Sequence, residues 1–191
     1  TPKTFLFKRR NSIAELSQRI KKEGFDFPLI AKPDIGFRGY LVKKIDSMNE
    51  LQNYLQYVEE DVIIQELIPY ENELGIFYHR FPGQKKGKVT SVTIKKFLKV
   101  TGDVQMKLKE LIQRDDRAYL YTDIFHRIHQ DKLHSIVKNG EEMTLSIIGN
   151  HSKGTQILNG NDLINEELEG FIDSICQQIH GWNYGRLDIK Y

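Results

Sequence analysis

The chain has 191 residues, 39% of them hydrophobic and 28% charged, with a formal net charge of +2. This length suffices for one large core or for two small lobes around a cleft, and the near balance of charge argues against a nucleic-acid-binding surface. No apolar run reaches the roughly 20 residues of a membrane span, and the N-terminus lacks the apolar segment of a secretion signal. We therefore expect a cytoplasmic protein with no nucleic-acid and no membrane partner. Its single cysteine, Cys176, is expected to be a buried structural thiol.

Two helices are predicted in the first third of the chain. Ser12 and Glu15 form a capping-box pattern at the start of an apolar stripe that ends near Gly24. The same pattern recurs at Ser47 and Glu50, ahead of a second stripe. Between the two helices, an apolar strand is predicted to end at Lys32.

A glycine-bracketed loop follows Lys32, and residues 40–45 are predicted as the next strand. Gly36 and Gly39 can adopt positive φ and carry no Cβ, so their N–H groups can close over phosphate oxygens, with Lys32 and Arg38 supplying positive charge. A P-loop or a dinucleotide fingerprint is excluded, because both require a helix directly after the glycines. The alternative is a hairpin whose glycines serve only the turn.

A short buried strand over residues 62–65 runs into an irregular stretch with several glutamates. The backbone groups left free after the strand, beside Leu67 and Ile68, suit an adenine ring, and Glu73 can accept hydrogen bonds from ribose hydroxyls. The alternative is a solvated acidic loop. Strands over 74–81 and 88–98 are then predicted to form a hairpin.

Two further basic residues, Arg80 and Lys96, lie on these hairpin strands and are candidates to line the same cleft. The remaining elements are a helix after Gly102, an irregular segment over 115–134, a strand over 143–148, a last helix over 168–179 and a terminal strand over 185–191. On the terminal strand, period 2 puts Arg186 and Asp188 on one face, where they can neutralise each other or where Asp188 can bind Mg²⁺.

Three motifs resemble, in their order and spacing, those of the ATP-grasp superfamily, in particular enzymes similar to D-alanine–D-alanine ligase. They are the lysine with its glycine loop, the Gln-Glu segment with a downstream glutamate, and the late Gly-Arg-x-Asp. The resemblance covers nearly the whole chain. It implies an α+β fold of two lobes with mostly antiparallel sheets around an ATP cleft, here a nucleotide-binding lobe over 1–68 and a second lobe over 69–191 with metal and catalytic residues.

The same resemblance implies site residues. Lys32 matches the lysine that contacts ATP phosphate, Glu73 the ribose-binding glutamate, Asp188 a magnesium-binding acid, and Arg186 the arginine that stabilises phosphate or the intermediate. The loop that covers the phosphates corresponds to Gly36, Phe37, Arg38 and Gly39. The hinge that binds adenine corresponds to Glu66, Leu67 and Ile68. His151 and Lys153, in a polar loop between Gly149 and Gly154, are further catalytic candidates that can meet an acyl phosphate or a carboxylate, with a polar turn as the alternative.

The implied reaction is that of an ADP-forming ligase with ATP and Mg²⁺ as cofactors and a small-molecule carboxylate and an amine as substrates. The enzyme is expected to form a homodimer at full length. Two alternatives remain open: a non-catalytic ATP-binding or regulatory module, and a kinase-like phosphotransferase. The loop departs from the serine-containing ligase pattern, which argues against D-alanine as the substrate. The Glu-x-Asn strand and the N-terminal domain that the resemblance implies are not in this sequence, so we expect an excised domain with incomplete metal binding.

Overall fold

The computed structural model describes residues 1–191 and contains ten strands and six helices. The strands are β1 (Thr4–Phe7), β2 (Leu29–Pro33), β3 (Lys43–Ile45), β4 (Val62–Glu66), β5 (Glu73–His79), β6 (Lys88–Lys96), β7 (Lys99–Thr101), β8 (Glu142–Thr144), β9 (Gln156–Asn159) and β10 (Tyr184–Lys190). The helices are α1 (Ile13–Lys22), α2 (Met48–Tyr57), α3 (Leu108–Arg114), α4 (Asp116–Tyr119), α5 (Thr122–Ile128) and α6 (Glu166–Gln177). None of these helices has the length and apolar character needed to cross a membrane.

The chain forms two compact units, Thr1–Pro69 and Tyr70–Tyr191. In the first unit, β1, β4, β2 and β3 form an antiparallel sheet in that order. One face of this sheet packs with α1 and α2 in a core that includes Leu16, Leu29, Leu51 and Ile64. Because side chains alternate along a strand, Lys32 projects from the opposite face of the sheet.

Both helices predicted in the first unit are confirmed. Ser12 and Glu15 form the predicted capping box of α1, in which each side chain bonds the other residue's backbone N–H. In α2 the Ser47 side chain caps the helix in the same way, but Glu50 accepts from the N–H of Asp46 at 2.9 Å instead of completing a box with Ser47.

The strand predicted over residues 40–45 is shorter than expected, because β3 begins only at Lys43. Arg38 and Leu41 have φ values of 53° and 54°, which bend the chain out of an extended conformation. Tyr40 and Leu41 therefore belong to the turn that precedes the strand, and the glycine loop is longer than the sequence pattern indicates.

In the second unit, β10, β5, β6 and β9 form an antiparallel sheet in that order. Helix α6 packs on one face, where Ile76, Tyr78, Ile172 and Cys176 are buried, and this confirms Cys176 as a buried thiol. The terminal strand predicted from residue 185 is confirmed as β10, paired along its whole length with β5. Strands β1, β7 and β9 were not predicted, and the strand predicted over 143–148 is shorter than expected, because β8 ends at Thr144.

A second cluster of buried side chains lies under α3, α4 and α5 beside the β7–β8 ribbon, and it includes Leu108, Ile112, Phe125 and Leu145. The segment over 115–134, predicted to be irregular, thus contains two short helices. The Asp115 carboxylate caps α4 by accepting from two backbone N–H groups.

The buried face of α6 differs from the predicted one. Ile172 is buried as expected, but Phe171 is 58% exposed and the neighbouring buried position is Asp173. Asp173 accepts hydrogen bonds from the Tyr78 hydroxyl at 2.6 Å and from the N–H of Gly87 at 2.9 Å, and Gln177 donates to its other oxygen. Burial raises the pKa of Asp173, but these hydrogen bonds outweigh it and leave the pKa below its usual value.

We expect Tyr78→Phe to lower the free energy of unfolding by about 1–3 kcal/mol at neutral pH, because the buried Asp173 carboxylate loses one donor. Burial and the bond to Asp173 raise the pKa of Tyr78 to about 12, so its contribution is complete below pH 10.0 and is lost as the pH rises through 12. The difference between wild type and variant, measured by urea unfolding, should therefore narrow over this range. Tyr57→Phe, at a position that is 78% exposed, is the control. It should change neither the free energy of unfolding at neutral pH nor its dependence on pH. A difference that stays constant with pH would contradict the expectation.

Candidate functional site

Lys32 lies on the face of the first sheet that does not contact the helices. Its Nζ donates to Gln65 Oε1 at 3.2 Å, and Gln65 Nε2 donates in turn to Thr4 Oγ1 at 2.9 Å. These contacts fix the direction of the lysine side chain without pairing its charge with an acid. The Lys32 ammonium is therefore available to an anionic ligand.

The loop after Lys32 lines an open cavity of about 290 Å³, near the lower end of the range for small-molecule sites. Lys32 and Ile63 form one side of it, and the loop from Pro33 to Val42 forms the rest, including Gly36, Phe37, Arg38 and Gly39. The structure thus brings together the predicted lysine and the whole predicted loop. Phe37 is 75% exposed, so its ring is not part of the core.

The two glycines of the loop differ in why the fold needs them. Gly39 has a φ of 68°, a conformation that only glycine adopts without strain. Gly36 has an ordinary φ, and a Cβ built on it would have Pro33 Cβ at 4.0 Å as its nearest neighbour. Neither the backbone nor the packing of the first unit therefore requires glycine at position 36.

The predicted adenine hinge lies at the end of β4. The N–H of Glu66, the last residue of the strand, donates to the carbonyl of Lys3 at 3.0 Å, so this group is already used. Leu67 and Ile68 follow the strand, are half-buried and lie outside the sheet ladder. Their backbone groups are the part of the hinge that can serve a ligand.

In the second unit, the sheet face opposite α6 carries a group of charged residues that we call the charged face: Glu73, Lys95, Arg186, Asp188 and Lys190. The strand register explains the grouping, because Glu73 on β5 lies opposite Lys95 on β6 and opposite Lys190 on β10. Lys95 Nζ forms an ion pair with Glu73 Oε1, and the two side chains are only 5% and 10% exposed. Lys190 Nζ lies 3.9 Å from Glu73 Oε2.

Asp188 and Arg186 meet on the charged face, as their spacing predicts. Arg186 Nε lies 3.2 Å from Asp188 Oδ1, and Lys95 Nζ lies 3.1 Å from the same oxygen. Gly75, opposite Asp188 on β5, leaves the room for this group, since a Cβ there would lie 2.7 Å from Thr93 Oγ1 and 3.4 Å from Asp188 Oδ1. The exposed Arg186 contact adds little stability, whereas in the contact with Lys95 the lysine side chain is shielded from solvent and Asp188 is 45% exposed.

The loop with His151 and Lys153 joins the charged face to the helical cluster. At its start, a Cβ on Gly149 would lie 2.7 Å from Glu73 Oε1, so the Gly149 backbone covers the Glu73 and Lys95 pair. At its end, Gly154 has a φ of 91° and its carbonyl accepts from Arg117 Nε at 2.8 Å. His151 and Lys153 form one 3₁₀ turn between these two anchors. Arg117 therefore fixes the position of a loop that carries two catalytic candidates.

The sequence pattern does not single out Lys95 and names its neighbour Lys96 as a candidate cleft residue. Lys96 is exposed and alternates with Lys95, so it points to the α6 side of the sheet and away from Glu73. Arg80 also belongs to the α6 side, where its charge lowers the pKa of Asp173 after the larger effect of the hydrogen bonds. The sequence shows that side chains alternate between the two faces of β6, but it does not show the strand register that pairs Lys95 with Glu73.

The charged face does not fit a protein-held divalent ion. Both oxygens of Asp188 lie within 3.4 Å of cationic nitrogens, and Glu73 Oε1 is paired with Lys95. No three His, Cys, Asp or Glu side chains lie together as a possible metal site. Magnesium prefers about six oxygen ligands in near-octahedral geometry, and two carboxylates already bound to ammonium and guanidinium groups do not supply them.

The backbone resembles two solved ligase structures. One is VanG, a D-Ala:D-Ser ligase from Enterococcus faecalis, with a TM-score of 0.53 and 16% identity over all of this chain and 43% of that one. The other is a D-alanine–D-alanine ligase from Bacillus anthracis, with a TM-score of 0.54 and 15% identity over all of this chain and 47% of that one. The chain has the ATP-grasp fold.

The chain spans less than half the length of either ligase. No protein-family model matches the sequence, and neither does any curated protein. At this level of identity the likeness concerns the ATP-grasp fold alone. The predicted α+β class with mostly antiparallel sheets is confirmed.

Proposed function

We propose that the chain is the nucleotide-binding part of an ATP-dependent carboxylate–amine ligase. The observation that carries this proposal is the cavity in which the Lys32 ammonium meets the glycine loop, within an ATP-grasp fold. In the proposed complex, Lys32 and the backbone N–H groups of Gly36 and Gly39 bind phosphate oxygens. The backbone of Leu67 and Ile68 binds the adenine.

The proposed reaction has two steps. A substrate carboxylate oxygen attacks the γ-phosphorus of ATP, the bond to the β-phosphate oxygen breaks, and ADP leaves. The amine of the second substrate then attacks the carbonyl carbon of the acyl phosphate, loses a proton and expels phosphate. Such a transfer requires positioned positive charge and no covalent nucleophile, which agrees with a site made of lysine, arginine and backbone amides.

The charged face and its covering loop receive the remaining proposed roles. Arg186 keeps a side chain that is 60% exposed and can stabilise the transferred phosphate or the acyl phosphate. His151 and Lys153 lie on the loop that starts over Glu73, and we propose that they contact the substrate carboxylate. Glu73 keeps its proposed ribose role through Oε2, since Oε1 is paired with Lys95. A cytoplasmic location and a homodimer at full length remain predictions.

Calorimetric titration with a non-hydrolysable ATP analogue tests the nucleotide site. Loss of a charged hydrogen-bond donor is expected to weaken binding about 10-fold or more in Lys32→Ala. Lys21→Ala removes an equal charge from the exposed surface of α1 and is the control, with unchanged affinity expected. Equal affinity of wild type and Lys32→Ala, or no binding to the folded chain, would contradict the proposed site.

The ligase reaction itself is to be tested in the full-length protein. Release of free phosphate together with an amide product, on addition of a carboxylate and an amine, would support the ligase. A stable phosphorylated product would instead indicate a phosphotransferase, and binding without either product would indicate a regulatory module.

A further inference from the structure

The Lys95 ammonium lies between two carboxylates of the charged face. It pairs with Glu73 Oε1 and lies 3.1 Å from Asp188 Oδ1. Two oxygens that contact one nitrogen are close enough for a single cation to bridge them. In this structure the bridging cation is a side chain of the protein.

The surroundings of Lys95 favour an ammonium over a hydrated metal ion at this place. Magnesium bound to proteins usually keeps several water molecules, which need space on the open side of the site. Here the Gly149 backbone covers Glu73, and the Lys95 side chain is 5% exposed. The excess of cationic over anionic side chains on the charged face acts against a divalent cation in the same direction.

We propose that Lys95 is a built-in counter-ion that takes the place of a divalent cation between Glu73 and Asp188. The chain therefore neutralises these two carboxylates itself, and the charged face binds no divalent ion while the Lys95 ammonium is present. Without the Lys95 ammonium, the neighbouring carboxylates of Glu73 and Asp188 lose the positive charge that lies between them. That pair then becomes a binding site for a divalent cation.

The test uses Mn²⁺ alone, so its outcome is independent of the proposed nucleotide function. Free Mn²⁺ is measured by electron paramagnetic resonance during titration of the chain. Wild type and Asp188→Asn should bind Mn²⁺ equally weakly. Lys95→Met should bind Mn²⁺ about 10-fold or more tightly than wild type, because the two carboxylates lose the ammonium that occupies the space between them, and carboxylate oxygens are ligands that Mn²⁺ accepts. This gain should disappear in the double variant Lys95→Met/Asp188→Asn.

The matched control is Lys96→Met, which removes the same charge from the adjacent residue on the other side of β6 and should behave as wild type. Mn²⁺ binding by wild type that is lost in Asp188→Asn would overturn the proposal, and this comparison does not depend on the folding of the Lys95 variant. A folded Lys95→Met without the gain would also overturn it. Circular dichroism establishes the folding of each variant.

Discussion

Lys95→Met is expected to lower the free energy of unfolding by about 3–5 kcal/mol, because the buried Glu73 loses its direct ion pair and keeps only the longer contact with Lys190 at 3.9 Å. The side chains of Lys95 and Glu73 are 5% and 10% exposed, so water cannot replace the lost contact. Asp188 is 45% exposed and is expected to suffer less from the same substitution. Urea unfolding of wild type and variant measures the difference.

The chain supplies a matched control for this effect. Lys99 also contacts two carboxylates, Glu71 and Glu142 at 3.2 and 3.1 Å, but these partners are 79% and 59% exposed. Lys99→Met should therefore cost no more than about 1 kcal/mol. Equal losses in the two variants would show that burial of the Lys95 pair is not the cause.

A double substitution distinguishes two contributions to this loss of stability: the missing ion pair, and the buried Glu73 carboxylate that is left without its direct partner. In Lys95→Met/Glu73→Gln the buried carboxylate is gone, and a neutral amide remains in its place. We expect this variant to recover most of the stability lost in Lys95→Met, since removal of both partners costs less than removal of one. If the double variant recovered no stability, the loss in Lys95→Met would instead be due to the packing of the lysine's aliphatic chain.

The helices at the start of the chain could be predicted because their signals are local. A capping residue, its partner three positions later and an apolar stripe all lie within one or two turns, so Ser12 and Ser47 suffice to place α1 and α2. The short strands β1 and β9 carry no such signal. Each has four residues, and what makes them strands is pairing with β4 and β6, which are distant in sequence.

The candidate site shows the same division between local and distant information. The residues around Lys32 could be found because the cavity is built from one continuous loop and its flanking strand, apart from Ile63. The charged face depends on the register of three strands, and a shift of one residue would have exchanged Lys95 for Lys96. The alternation of side chains along a strand predicted that Arg186 and Asp188 share a face, but it could not predict that Lys95 neutralises Asp188.

Asp173 could not be anticipated from the helical pattern of α6 for a related reason. An acidic residue beside an apolar stripe is ordinarily assigned to solvent. Here the turn between β5 and β6 brings the N–H of Gly87 to the helix, and Tyr78 adds a hydroxyl from the core. The partners that make burial of the carboxylate favourable thus come from elements about 90 residues earlier.

Gly36→Val is expected to weaken binding of the non-hydrolysable ATP analogue about 100-fold or more while leaving stability within about 0.5 kcal/mol of wild type. The fold has room for a side chain at position 36, since φ is ordinary and the nearest neighbour of a Cβ is 4.0 Å away. A phosphate that approaches the Gly36 N–H does not have that room. The sequence alone left open whether the loop glycines serve a ligand or only a turn, and this substitution distinguishes the two.

Gly39→Val is the companion variant, because its φ of 68° gives that glycine a conformational role in the turn. We expect Gly39→Val to lower stability by about 1 kcal/mol or more, in addition to any effect on binding. Calorimetry and urea unfolding of both variants give the two quantities side by side. Unchanged affinity in a folded Gly36→Val would favour the simple hairpin and would remove the loop from the proposed phosphate site, even if Lys32→Ala had weakened binding.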